Sequence, residues 1–233
     1  MAMRLLFLLN NDKYAAKAFA LLLPEISQHH LKIFLSQNLA KKSRLPKEIQ
    51  ELAAHEKYNS NWLEKFSIPA QFCDDINSPE TISEIKKFAP DLIISIRFEK
   101  ILRQEAIDCA RFGVLNLHSG ILPAYRGVMA SFWKILNGEN ELGATLHYIQ
   151  DHTIDTGDII SITRKKFQYD LSLSQNVENL YDDACLLLLD AIKKIERGEK
   201  IPVTKQKDLG GARYFTYPKS EDVEKFLLKM KII

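Results

Sequence analysis

The sequence predicts an α/β protein built on a mostly parallel sheet covered on both faces. Three observations predict it. Strongly apolar segments recur at residues 4–9, 31–35 and 91–96, as strands buried on both faces require. Segments with helical apolar spacing lie between or after them, so strand and helix alternate. The 233 residues are 46% hydrophobic and 27% charged, enough for one sizeable core and too apolar for a mostly disordered chain.

Residues 4–9 read as the first strand. Residues 14–29 follow as a helix, with Ala15, Ala18, Phe19 and Leu22 on one face. Residues 31–35 form a second strand, and the more polar stretch 36–70 is expected to be helical around 46–55. Pro79–Phe88 reads as a helix, with Ser78 as N-cap, Pro79 at its first position and Pro90 ending it. Residues 91–96 and 114–116 are further strands. Residues 144–149 and 158–163 form a pair of strands joined by a loop, with antiparallel pairing expected.

The clearest helix spans 172–198. Val177, Leu180, Tyr181, Ala184, Leu187, Leu188, Ala191, Ile192 and Ile195 form its apolar stripe, and Lys193, Lys194 and Arg197 suit its negative end. In the tail, residues 204–206 and 213–217 are two short extended pieces with Gly210-Gly211 between them, which predicts a small β-hairpin. A short helix over 220–230 closes the chain, with Glu221 and Asp222 in its first turn. The expected division is a core over 1–170 and, over 171–233, the long helix with its small tail.

Basic and acidic side chains number 32 and 30, so the net charge is +2 and no whole-chain grip on nucleic acid is expected. Cys73, Cys109 and Cys185 are odd in number and widely spaced, which fits reduced thiols in a cytoplasmic protein rather than a disulfide framework or a metal site. The apolar run 5–9 is too short for a signal-peptide core or a membrane span, so neither a membrane nor a metal is expected as partner.

The chemically informative stretch is 113–160. Asn116 and His118 lie two apart at the end of a strand, so both side chains project the same way from its carboxyl end, where open α/β sheets bind ligands. Gly120, Pro123 and Gly127 shape the loop that follows, and Asp155 sits in a turn before a later strand. An amide, an imidazole and a carboxylate brought together suit acyl transfer to an amine: donors for an oxyanion and a route for a proton. Ser119 lacks a nucleophile-elbow context and no cysteine is near in sequence, which favours direct transfer over an acyl-enzyme. Taken singly, Asn-x-His and Asp-Thr-Gly are ordinary loop chemistry, and the residues alone leave other reactions open.

The ordered motifs N-L-H-S-G-I-L-P-A-Y-R-G, G-A-T-L-H-Y and I-D-T-G-D-I-I resemble the folate-dependent formyltransferase family over residues 91–164. The resemblance implies a Rossmann-like formyltransferase core and N10-formyltetrahydrofolate as formyl donor. It places the family's catalytic Asn, His and Asp on Asn116, His118 and Asp155. By the same analogy Arg97, Lys100, Ile101, Leu102, Asp151 and Ile154 would hold the folate. One departure is visible: 143–155 is one residue longer than the family's spacing.

The acceptor is read by comparison within the family. After the first strand stands Asn10-Asn11-Asp12-Lys13-Tyr14, without the glycines of a glycinamide ribonucleotide phosphate loop. Residues 199–233 are expected to be too few for the β-barrel of methionyl-tRNA formyltransferases. The tail Arg213-Tyr-Phe-Thr-Tyr217-Pro-Lys resembles those of nucleotide-sugar N-formyltransferases. That resemblance implies a dTDP-linked amino-deoxysugar as substrate, such as a 4-amino-4,6-dideoxyhexose for O-antigen or lipopolysaccharide synthesis. It also implies a homodimer. Asn11, Lys13, Tyr125, Arg213, Tyr214 and Tyr217 are the expected acceptor-binding residues. Methionyl-tRNA and glycinamide ribonucleotide remain the alternative acceptors. A non-catalytic folate- or sugar-nucleotide-binding protein is the alternative from another class.

Overall fold

A computed structural model describes residues 2–36, 46, 47, 50, 68 and 70–231. The helix expected around 46–55 lies outside the described residues for most of its length. In chain order the elements are β1 (Arg4–Asn10), α1 (Lys13–Ile26), β2 (His30–Ser36), β3 (Ala70–Phe72), α2 (Pro79–Phe88), β4 (Leu92–Ile96), α3 (Gln104–Ile107) and β5 (Val114–His118). Then come β6 (Arg126–Gly127), α4 (Ala130–Leu136), β7 (Glu141–Ile149), β8 (Ile159–Lys166), α5 (Leu173–Glu196), β9 (Tyr214–Phe215) and α6 (Ser220–Lys231).

Seven strands form one sheet in the order β3-β2-β1-β4-β5-β7-β8. The first five are parallel, while β7 and β8 run antiparallel to their neighbours. This is the Rossmann-like, mostly parallel sheet that the apolar runs predict. Alternation along β1 explains its two-sided burial. Leu5, Phe7 and Leu9 face the cluster containing α1 and α5, while Leu6 and Leu8 face the cluster of α2 and α3. A third, smaller cluster packs Phe132 and Ile135 of α4 against Val223 and Phe226 of α6 and Leu180 of α5. The long helix α5 belongs to the largest cluster through Tyr181, Ala184 and Leu188.

Local sequence signals set several boundaries. Ser78 caps α2 by accepting from the Thr81 N–H, with Pro79 in the first turn. Ser172 and Gln175 close a capping box at the start of α5. Helix α1 ends at Ile26, three residues before the expected end, because the His29 N–H bonds the Ile26 carbonyl and β2 begins at His30.

In the tail Gly210 and Gly211 both sit in the left-handed region at φ 66 and 67. The two extended pieces expected to pair with each other find other partners. Thr204 bridges Ile159 of β8, and β9 pairs in parallel with β6. Open backbone donors on the body of the protein thus take up the tail, as in the bond from the Val128 N–H to the Phe215 carbonyl.

Candidate active site

Strand β5 delivers Asn116 and His118 on one face, and the loop between β7 and β8 delivers Asp155. That loop is closed by two contacts between its ends. The Tyr148 N–H donates to the Asp158 carbonyl at 3.0 Å, and the Gln150 side chain spans to Asp158 in both directions. Asp155 itself sits at φ 54, in the left-handed region that a non-glycine residue enters only when held there.

The three side chains meet. Asn116 Nδ2 lies 3.4 Å from Asp155 Oδ1, and His118 Nδ1 lies 3.5 Å from Asp155 Oδ2. His147 completes the group, opposite Asn116 in the β5–β7 register. Its Nε2 is 3.0 Å from Asn116 Nδ2 and 3.5 Å from Asp155 Oδ1. His147, the histidine of the G-A-T-L-H-Y motif, thus has two of the three candidate catalytic residues as partners.

Ring tautomers follow from the carbonyls nearby. His147 Nδ1 is 2.8 Å from the Tyr148 carbonyl, which only accepts, so Nδ1 carries hydrogen and the neutral ring accepts from Asn116 at Nε2. His118 Nε2 is 2.8 Å from the Tyr125 carbonyl and is likewise a donor. Its Nδ1 is left facing Asp155.

Burial alone would raise the Asp155 pKa. In acid, where both rings carry a proton on the nitrogen facing Asp155, the charge of His118, the hydrogen bond and charge of His147 and the Gly127 N–H, 2.8 Å from Oδ2, outweigh it and bring the pKa down to about 2. Asp155 is thus a carboxylate at neutral pH, aimed at two imidazoles.

Asn116, His118, His147 and Asp155 all line one cavity of about 490 Å³. Arg97, Lys100, Ile101, Leu102, Asp151 and Ile154 line it too, as do Tyr214 and Tyr217 of the tail. Ile101 and Ile154 leave 53% and 38% of their surface exposed there, large apolar faces available to a flat ring. Arg97 turns its Nε to Asp12 Oδ2 at 2.7 Å and stacks its guanidinium over Tyr14 at 4.6 Å. The Asp151 carboxylate accepts from the side chain and N–H of Thr153, which lower its pKa and tie it to its own loop.

Four of the expected acceptor-binding residues lie elsewhere. Asn11 is outside the cavity lining, and its N–H donates to the Ser36 carbonyl. Lys13 pairs with Glu178 on α5 and lies over the Tyr14 ring. Tyr125 is buried, stacked on Phe215 at 5.2 Å, with its hydroxyl on Glu139, and it serves the site through its backbone carbonyl. Arg213 lies over the Tyr125 ring at 5.0 Å and is outside the cavity lining.

A family model described as formyl transferase matches residues 33–186, about two thirds of the chain. The chain belongs to the formyl transferase family. Among curated relatives, the methionyl-tRNA formyltransferase of Citrifermentans bemidjiense is 34% identical over 143 residues, 60% of this chain and 43% of that protein. The chain thus spans less than half the length of the curated formyl transferases it matches. Among solved structures, the N-formyltransferase of Helicobacter canadensis, in complex with folinic acid and dTDP-3-aminofucose, superposes with a TM-score of 0.64. It is 21% identical and the match covers 95% of this chain and 72% of that one. Glycinamide ribonucleotide transformylase 1 of Symbiobacterium toebii superposes at 0.66, with 14% identity and coverage of 88% and 94%. At these identities the superpositions show a shared formyl transferase fold. Among the described residues no helix is long and apolar enough to cross a membrane, and no cluster of His, Cys, Asp or Glu is grouped to hold a metal ion.

Proposed function

We propose that the chain moves the formyl group of N10-formyltetrahydrofolate to the primary amine of a nucleotide-linked amino sugar. The observation that supports it most is the convergence of Asn116 and His118 on Asp155, each within 3.5 Å of its carboxylate, on one cavity.

When bound, the folate supplies an activated one-carbon acyl group. The walls formed by residues 97–102 and 149–155 suit its ring system, since they combine exposed Ile101 and Ile154 with nearby backbone groups. Asn116 keeps one Nδ2 hydrogen on His147 Nε2 and turns the other, held only by the long 3.4 Å contact to Asp155 Oδ1, to an oxygen that gains negative charge as an amine adds to a carbonyl carbon. His118, with Nε2 committed to the Tyr125 carbonyl, takes up a proton only at Nδ1, facing Asp155. The carboxylate then stabilises the imidazolium, and the protonated Nδ1 can serve as a second oxyanion donor or return the proton to the leaving nitrogen. The acceptor amine must enter neutral, which the apolar cavity favours by penalising its charged form.

For the acceptor, the exposed rings of Tyr214 and Tyr217 on the cavity wall support a nucleotide-sugar reading, as stacking faces for a base or sugar. The amino end of α1 argues against a phosphate held there. Asp12 already fills it, accepting from the Tyr14 and Ala15 N–H groups, and a carboxylate repels a phosphate. Identity to methionyl-tRNA formyltransferases favours methionyl-tRNA as a second reading.

Incubation with N10-formyltetrahydrofolate and a panel of dTDP-linked amino sugars, methionyl-tRNA and glycinamide ribonucleotide separates these readings. Tetrahydrofolate release with a formylated sugar is the expected result. Formylation of methionyl-tRNA alone would replace the sugar assignment with the second reading. No transfer to any amine would leave a binding protein.

A further inference from the structure

Asp155 and its turn are held from behind by a residue outside the segment that the family model matches. Gln206 opens a short 3-10 turn, Gln206–Asp208, and is 7% exposed. Its Nε2 donates to the Asp155 carbonyl at 3.0 Å and to the Gly157 carbonyl at 2.7 Å. Both hydrogens of one amide group thus clamp two carbonyls of the same turn. Two residues earlier, Thr204 exchanges backbone bonds of 2.8 and 2.9 Å with Ile159, which sets where Gln206 stands against the loop. A left-handed Asp155 persists only if its surroundings over-determine it, and Gln206 supplies two of those restraints. Gln206 does not line the cavity, so its action on chemistry runs through Asp155.

We propose that Gln206 is a positioning residue: by clamping the Asp155 and Gly157 carbonyls it aims the Asp155 carboxylate at His118. The role rests on the reading of Asp155 as part of the catalytic group, and the test separates the two. Gln206→Met keeps the length and removes the donor, and Gln206→Asn keeps the amide but stops one methylene short of the carbonyls. Lys207→Ala, an exposed neighbour, is the control.

The first readout needs no substrate. Carbon-13 NMR titration of the Asp155 carboxyl should give a value near 2 in the unaltered protein and the control. In both Gln206 variants it should move up by about one unit, toward the ordinary carboxylate value. The second readout is formyl transfer, where kcat should fall about 10- to 100-fold with KM for both substrates within about twofold. A folded variant with a lowered melting temperature but unaltered Asp155 titration and kcat would show that Gln206 only anchors the tail, and would overturn the proposal. If the unaltered protein transferred no formyl group, the functional reading would fall while the Asp155 titration still decided the role of Gln206.

Discussion

His118 Nε2 lies 2.8 Å from the carbonyl oxygen of Tyr125, and that contact determines which nitrogen of the ring can do chemistry. A carbonyl cannot donate, so the neutral ring is held as the Nε2–H tautomer with its lone pair at Nδ1. The Tyr125 backbone is fixed in turn: its ring stacks on Phe215 at 5.2 Å and its N–H bonds the Ile121 carbonyl at 3.0 Å. A buried aromatic thus serves the site by holding still the carbonyl that orients the histidine.

The tautomer is directly measurable. Nitrogen-15 NMR of labelled protein with neutral His118 should show a protonated Nε2 and a bare Nδ1. The reverse pattern would remove Nδ1 as the proton acceptor. His118→Ala should fold and lose formyl transfer by about 10²- to 10⁴-fold, the range for a positioned acid–base group. Near-normal turnover in that variant would exclude the mechanism.

Gly120 should not tolerate even a methyl group. A Cβ there would stand 2.5 Å from His118 Nε2 and 2.9 Å from the Tyr125 carbonyl, the two atoms whose bond orients the ring. It would also meet Ala130 Cβ at 2.6 Å, and neither the backbone nor Ala130 can swing away. Gly120→Ala should therefore cost about 1–3 kcal/mol of stability, as overpacking does. In the folded fraction it should also lower kcat about 10²-fold by displacing the imidazole. Urea denaturation together with kinetics at saturating substrate checks both. A variant with normal kcat would mean that the ring re-forms its bond around the methyl.

Strand periodicity exposed half of the site, because two residues i and i+2 on β5 must share a face, and Asn116 and His118 do. His147 was equally within the motif, but its role depends on the antiparallel register that sets it opposite Asn116, and register is long-range information. Asn11 and Lys13 were drawn to the site by their position after β1. Helix α1 starts immediately at Lys13, and its side chain reaches Glu178 on α5, as a helix-to-helix pairing not encoded locally. Gly210 and Gly211 take the left-handed backbone that glycine permits, and the pieces on either side do not pair with each other. Which strands the flanking pieces join depended on edges that the rest of the fold left open, β6 and β8.

Asp12 should be a stability residue more than a catalytic one. Its Oδ1 caps α1 through the Tyr14 and Ala15 N–H groups at 3.0 and 2.9 Å, and its Oδ2 pairs with Arg97 and Asn10. Asp12→Ala removes the cap, worth about 1 kcal/mol, and strips a partly buried guanidinium of its carboxylate, so a total loss of roughly 2–4 kcal/mol is expected. Asp12→Asn should recover the capping part alone. Denaturant midpoints of the two variants measure the split, and equal losses would show that the ion pair contributes all of it.

Asp155 should leave a signature in acid stability. Its pKa in the folded protein is about 2, below the ordinary aspartate range, although burial alone would push it up. A depressed carboxylate pKa means that the unfolded chain binds the proton more tightly. The stabilisation is therefore fully present above about pH 4 and is lost as the pH falls through about 2. Its size at neutral pH is roughly 2 kcal/mol. Asp155→Asn carries no titrating group there, so its stability should fall less steeply than that of the unaltered protein between about pH 4 and pH 2. Urea midpoints across that window, compared between the two proteins, give the difference directly. Parallel curves would mean that the Asp155 carboxylate is not held by His118, His147 and the Gly127 N–H in solution.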